Sequence, residues 1–107
     1  MKQYKLTGQV LGKLWGGGEG YYPSREIKGN NRTDVIREAE EALEDGSLDS
    51  GMGFERLVGA FLILEIKTIK TVDGVEYYRE DYEDINIGGI SPKVREELRS
   101  KYGFYNI

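Results

Sequence analysis

Neither cysteine nor histidine occurs anywhere in the 107 residues. Without cysteine there is no disulfide, no thiolate metal site and no thiol nucleophile. Without histidine the commonest general base and the commonest metal ligand are gone, which excludes a Ser-His-Asp triad and a histidine-based zinc site. Nor is there an excess of positive charge, since 19 acidic residues outnumber 15 basic ones. The formal net charge of −4 argues against long nucleic acid, whose backbone calls for a basic surface. A small anion remains compatible with a local basic pocket on an acidic chain. Long apolar runs are missing too. The most apolar stretch, Ala60 to Ile66, contains Glu65 and is far too short to span a bilayer. The opening MKQYKLTGQV lacks the apolar core of a signal peptide. The expectation is a soluble, intracellular, single-domain protein over residues 1–107, long enough to bury one core without staples.

What the chain does have is glycine and tyrosine, fifteen and eight respectively, a composition that suits a β-rich fold with close backbone approaches. Residues 4 to 15 alternate with period two and predict a strand. Gly16-Gly-Gly-Glu-Gly20 reads as a loop. Residues 21–28 predict a second strand, antiparallel to the first, with Pro23 tolerated only at an edge or bulge. Asn31 and Thr33 are helix N-cap candidates, and Val35, Ile36, Ala39, Ala42 and Leu43 form one helical stripe ending at Gly46. Residues 59–72 predict the most apolar strand, with Ala60, Leu62, Leu64 and Ile66 under the helix. Asp73-Gly74 suits a two-residue type I′ hairpin turn. That turn sets Lys67 opposite Glu80 and Ile69 opposite Tyr78 on a strand over 75–87. Ser91-Pro92 starts a closing helix to about Tyr102, with Val94 and Leu98 inward. The expected class is α+β, an antiparallel sheet of four to five strands with two helices in the order β-β-α-β-β-α.

Four stretches could carry chemistry. In Gly46-Ser-Leu-Asp-Ser-Gly-Met-Gly-Phe54, Gly46 and Gly51 have Walker spacing, but Met52 replaces the lysine and the order of elements is reversed. The stretch reads as a helix cap and turn, or as a packed ligand- or subunit-contacting loop, because Leu48, Met52 and Phe54 are apolar. Leu14-Trp15 and Tyr21-Tyr22 flank a glycine loop, as aromatics that stack on a base do, although a hairpin tip with core tyrosines explains them equally. Arg95 and Arg99 stand four apart on the closing helix and so share a face. Two guanidiniums so placed suit a diphosphate, and salt bridges to Glu96, Glu97 or an acidic strand are the alternative. The run Glu80-Asp-Tyr-Glu-Asp84 could hold Mg²⁺ but reads better as a solvated strand end.

Leu14-Trp15-Gly16-Gly17-Gly18, the joint Asp45 to Glu55, and the closing hairpin and helix together resemble the phage-encoded Thoeris anti-defence proteins of the first type. The resemblance implies a protein that binds and sequesters cyclic ADP-ribose-type immune signals without degrading them, in the cytoplasm of the infected bacterial host. It implies no enzyme activity, no metal and no cofactor. It further implies a homodimer or homohexamer, with pockets formed by both chains, and cyclic oligonucleotides at a second site in some members. The family's arginine pair maps onto Arg95 and Arg99. Asn86 is the nearest strand asparagine, Phe54 or Phe61 the aromatic, and Tyr21, Tyr22 and Arg25 complete the candidate ligand-binding set. The rival expectation is a protein-interaction module, or inhibitor, that docks on a host protein through its acidic face.

Overall fold

The computed structural model describes residues 1–49 and 54–102. The period-two pattern at the start of the chain becomes β1 (Lys2–Lys13), followed by β2 (Glu19–Pro23) and β3 (Ile27–Gly29). The helix α1 (Arg32–Asp45), the long strands β4 (Arg56–Val72) and β5 (Val75–Gly88), and the helix α2 (Pro92–Tyr102) complete the chain. All strand pairings are antiparallel, in the order β2-β1-β4-β5 with β3 also on β1. The expected α+β class and element order are therefore present.

The expected strand over 21–28 is instead two segments along the same edge of β1. Gln9 opposes Pro23 and Leu6 opposes Ile27, so three edge residues, Ser24 to Glu26, face the two of β1, Thr7 and Gly8. That is a one-residue bulge. Proline has no N–H to give to the ladder, and Ser24 compensates next to it. Its amide donates to the Gly8 carbonyl at 2.9 Å, and its hydroxyl accepts the Gly8 amide at 3.0 Å. A second slip falls between the pairs Leu11–Gly59 and Gly12–Leu57, leaving Val58 as the extra residue of β4.

α1 begins where the sequence predicts. The Asn31 side chain accepts the Asp34 amide, and Gly46 closes the helix at φ 83°, a left-handed conformation that glycine adopts without a Cβ penalty. Its inward residues Val35, Ala39 and Ala42 pack with Leu6, Val10, Ile27, Leu48, Ala60, Leu62, Leu64 and Ile85 in one core. Strand alternation puts Leu11 and Phe61 on the opposite face of the sheet, where both are buried. α2 covers that face, lying against β1 and β4 with Leu98 buried. The sheet is thus a middle layer between two helices. Ser91 caps α2 by accepting the Val94 amide at 3.2 Å.

The β4–β5 hairpin outgrows the rest. Asp73 (φ 51°) and Gly74 (φ 78°) form its two-residue turn. The predicted pairs Lys67–Glu80 and Ile69–Tyr78 are present. β1 reaches only to Thr68, so beyond Ile69 two strands continue alone as an arm. The molecule is accordingly elongated, 59 × 27 × 19 Å.

β1 and β4 approach closely at Gly8, where any Cβ would run into the Phe61 carbonyl oxygen. Gly8→Ala is expected to lower stability by about 2–3 kcal/mol, read as a fall in the urea midpoint. At the end of α1 the Asp45 carboxylate accepts the Ser47 amide at 2.8 Å. Hydrogen bonding to the Ser47 side chain, then to its backbone, holds the Asp45 pKa below its ordinary 3.8. A lowered folded-state pKa contributes stability that is complete above the unfolded value and lost as pH falls through the folded one. Stability measured from pH 5 downward should therefore fall less steeply in Asp45→Asn than in the wild type.

Candidate ligand-binding site

The two arginines of α2 stand one turn apart, and the structure gives them different surroundings. Arg95 is exposed, and among the described residues it makes no salt bridge. Arg99 is turned toward the sheet. Its Nε lies 3.0 Å from Oδ2 of Asp84 on β5, and its Nη1 lies 3.5 Å from Glu96. The Arg99 Nε is shielded from solvent without a well-aligned hydrogen bond. The contact with Asp84 is therefore chiefly an attraction between charges. The alternative reading of the pair, salt bridging to Glu96 and an acidic strand, thus holds for Arg99 and not for Arg95.

Asn86 follows Asp84 by two residues on β5, so the two share the face covered by α2. It pairs across the ladder with the buried Phe61. Its Oδ1 is buried and meets no hydrogen-bond donor among the described residues, a costly state for a carbonyl oxygen. Tyr21, which opposes Leu11 on the same side of the sheet, borders α2 from the other edge. With Glu96, Glu97, Leu98, Ser100 and Lys101 it lines a shallow groove of about 480 Å³. Arg99 and Tyr21 thus border α2, Asn86 lies on the same face of the sheet but on the opposite edge strand from Tyr21, and Arg95 is on the helix's outer surface.

The remaining candidates lie elsewhere. Tyr22 opposes Val10 and so points to the α1 side, away from Tyr21. Consecutive strand residues cannot stack on one base. Arg25 is engaged on the α1 side as well. Its amide donates to the Leu48 carbonyl at 2.8 Å, its Nε to the Ser47 carbonyl at 3.2 Å, and its Nη1 lies 3.7 Å from Glu38. It ties the bulged edge to the joint after α1. The half-buried Phe54 lays its ring against Gly12, in the space a Cβ there would need. Gly51, Met52 and Gly53 of that joint lie outside the described residues.

A roomier groove, of about 510 Å³, runs beside Gln3, Lys5, Lys28, Asn30 and Lys67. Its cations are already matched. Lys5 sits 3.1 Å from Glu65 and Lys28 sits 3.0 Å from Glu26. The Lys67 ammonium lies 4.3 Å from the Tyr78 ring centre. The Glu65 partner raises the Lys5 pKa, and Lys28 lowers that of Glu26. Volume favours this groove. A cation without a salt bridge and a buried acceptor without a donor, among the described residues, favour α2, and they are the better guide to an anionic, hydrogen-bonding ligand.

The acidic run is mostly occupied by cations. Glu83 bonds Arg32, Asp81 bonds Arg79 at 3.0 Å, and Asp84 meets Arg99. The Tyr82 hydroxyl donates to Glu80 at 2.9 Å, and that carboxylate raises the tyrosine pKa. The importance of Asp84 was not legible from the run itself. Its signal is placement opposite Ile63 in the hairpin register, which brings it beneath the closing helix.

Comparison with family models, with curated proteins and with solved structures gives no match to this chain. Among the described residues, no helix is long and apolar enough to cross a membrane.

Asp84 has a side chain only 17 % exposed, so removing its counter-ion leaves a poorly solvated carboxylate. Arg99→Ala should therefore cost about 2 kcal/mol of stability. Adding Asp84→Asn should recover most of that loss, and a double-mutant cycle in urea measures the coupling.

Proposed function

We propose that this protein is a phage anti-defence protein that binds and sequesters a cyclic ADP-ribose-type signalling nucleotide without degrading it. The observation that carries this reading is the arginine pair of α2. Among the described residues Arg95, one turn from Arg99, makes no salt bridge, and the buried Asn86 Oδ1 meets no donor on the sheet face that α2 covers. Guanidiniums complement a diphosphate by bidentate hydrogen bonding. A base or ribose supplies the N–H or O–H that a bare carbonyl oxygen lacks. Tyr21, at the other margin of α2, offers an aromatic surface on the same side. The resemblance to Thoeris anti-defence proteins narrows this chemistry to cyclic ADP-ribose isomers and to a homo-oligomer acting in the infected bacterial cytoplasm.

A second reading is favoured by α1, whose Glu40, Glu41 and Glu44 are all exposed. They suit a basic host protein docking on an acidic face. Pull-down from host lysate separates the two, since stoichiometric protein capture supports docking and released nucleotide supports sequestration.

Calorimetric titration with a panel of cyclic ADP-ribose isomers tests the leading reading. Heat of binding is expected with at least one isomer, and the ligand should be recovered intact after heat denaturation. Arg95→Ala should weaken that isomer about tenfold or more, equivalent to about 1.4 kcal/mol, while leaving the urea midpoint near wild type. Absence of heat with every isomer well above micromolar concentration would overturn the assignment.

A further inference from the structure

Asp84 is the one member of the 80–84 acidic run that β5 carries beneath α2. Its side chain is 17 % exposed, against 36 % for Arg99. A carboxylate so placed is costly unless a cation stays beside it. Arg99 supplies that cation through its Nε, at 3.0 Å. A guanidinium has a stem-side Nε and two outer nitrogens, Nη1 and Nη2. The stem side is engaged by Asp84. On the outer side, the contact is Nη1 with Glu96 at 3.5 Å, and the Glu96 side chain is 63 % exposed. Such a long, hydrated contact contributes little and can yield to a stronger anion.

We infer that Asp84 is a positioning residue: it tethers the stem side of Arg99 so that the outer nitrogens, together with Arg95, are presented to a diphosphate. The inference rests on the nucleotide-binding reading above. Asp84 does not touch the ligand in this scheme. It removes the rotamer freedom that a long, solvated arginine would otherwise lose on binding. A competing role is physically distinct. If Asp84 merely occupied Arg99 as a surrogate anion, its removal would release the guanidinium and strengthen binding. The burial of Asp84 favours the tether, because a ligand that pulled Arg99 away would strand a poorly solvated carboxylate. Glu96 is the contact that gives way instead.

The test titrates wild type, Asp84→Ala, Asp84→Asn and Glu96→Gln with the cyclic ADP-ribose panel and, separately, with inorganic pyrophosphate. Asp84→Ala is expected to bind about tenfold more weakly. Asp84→Asn should fall between Asp84→Ala and wild type, since its amide oxygen still faces Nε. Glu96→Gln should bind as tightly as wild type or tighter. The Arg99 Nε–H, followed by ¹⁵N NMR in the ligand-free protein, should exchange slowly in wild type and fast in Asp84→Ala. Equal or tighter binding by folded Asp84→Ala overturns the inference and leaves the nucleotide reading intact. Pyrophosphate binding that depends on Asp84, with no binding of any cyclic isomer, sustains the inference and removes the cyclic-nucleotide reading. Silence toward every probe removes both.

Discussion

The pairing of β1 with β4 is the constraint on which the rest of the structure depends. Its ladder runs from Lys2–Thr68 to Lys13–Arg56, and each of its faces is the floor for a different helix. Leu6, Val10, Leu62 and Leu64 receive α1, while Leu11 and Phe61 lie under α2. Gly8 lets the two backbones approach at the centre of that ladder. A side chain there would separate the strands and disturb both helix contacts together. The placement of Arg95 and Arg99 is thus inherited from a strand pairing far from either residue in sequence.

The second layer of dependence is electrostatic. An acidic chain keeps its folded form by distributing cations among carboxylates, and most of its charged contacts are exposed and individually weak. Among the described residues the pair most withdrawn from water is Asp84 with Arg99. Arg99 consequently serves the fold, and Arg95 is the freer of the two among the described residues. Two arginines one turn apart on the same helix have unlike surroundings because only one of them is turned toward the sheet.

Much of this architecture was legible in the sequence for local reasons. The α1 stripe, the Asn31 and Ser91 caps, Gly46 and the Asp73-Gly74 turn each follow from the backbone demands of a few neighbouring residues. The β4–β5 register followed from that turn, since a two-residue hairpin leaves no freedom in pairing. The interrupted edge was less accessible: Pro23 signalled a disturbance, but only the compensation by Ser24 and Gly8 reveals where the strand resumes. The position of α2 was illegible for a different reason. Its Val94 and Leu98 define an inward face without specifying which side of the sheet will accept it. That choice separates Tyr21 from Tyr22 and selects Asn86, while it leaves Arg25 with the α1 side. Phe54 was identifiable as a packed residue, but its partner, Gly12, lies on a strand more than forty positions earlier.

The two bulges carry a consequence for how this chain can change length. In a strand, adding or removing one residue exchanges the inward and outward faces of everything beyond it. The extra residue between Pro23 and Ile27 restores Ile27 to the side occupied by Tyr22, and the extra Val58 restores Leu57 to the side of Ala60. They act as phase corrections written into the sheet. A single-residue deletion at Ser24–Glu26 or at Val58 would turn every residue on the far side of that point inside out. Two-residue changes would conserve parity, so the natural unit of length variation along these edges is the pair.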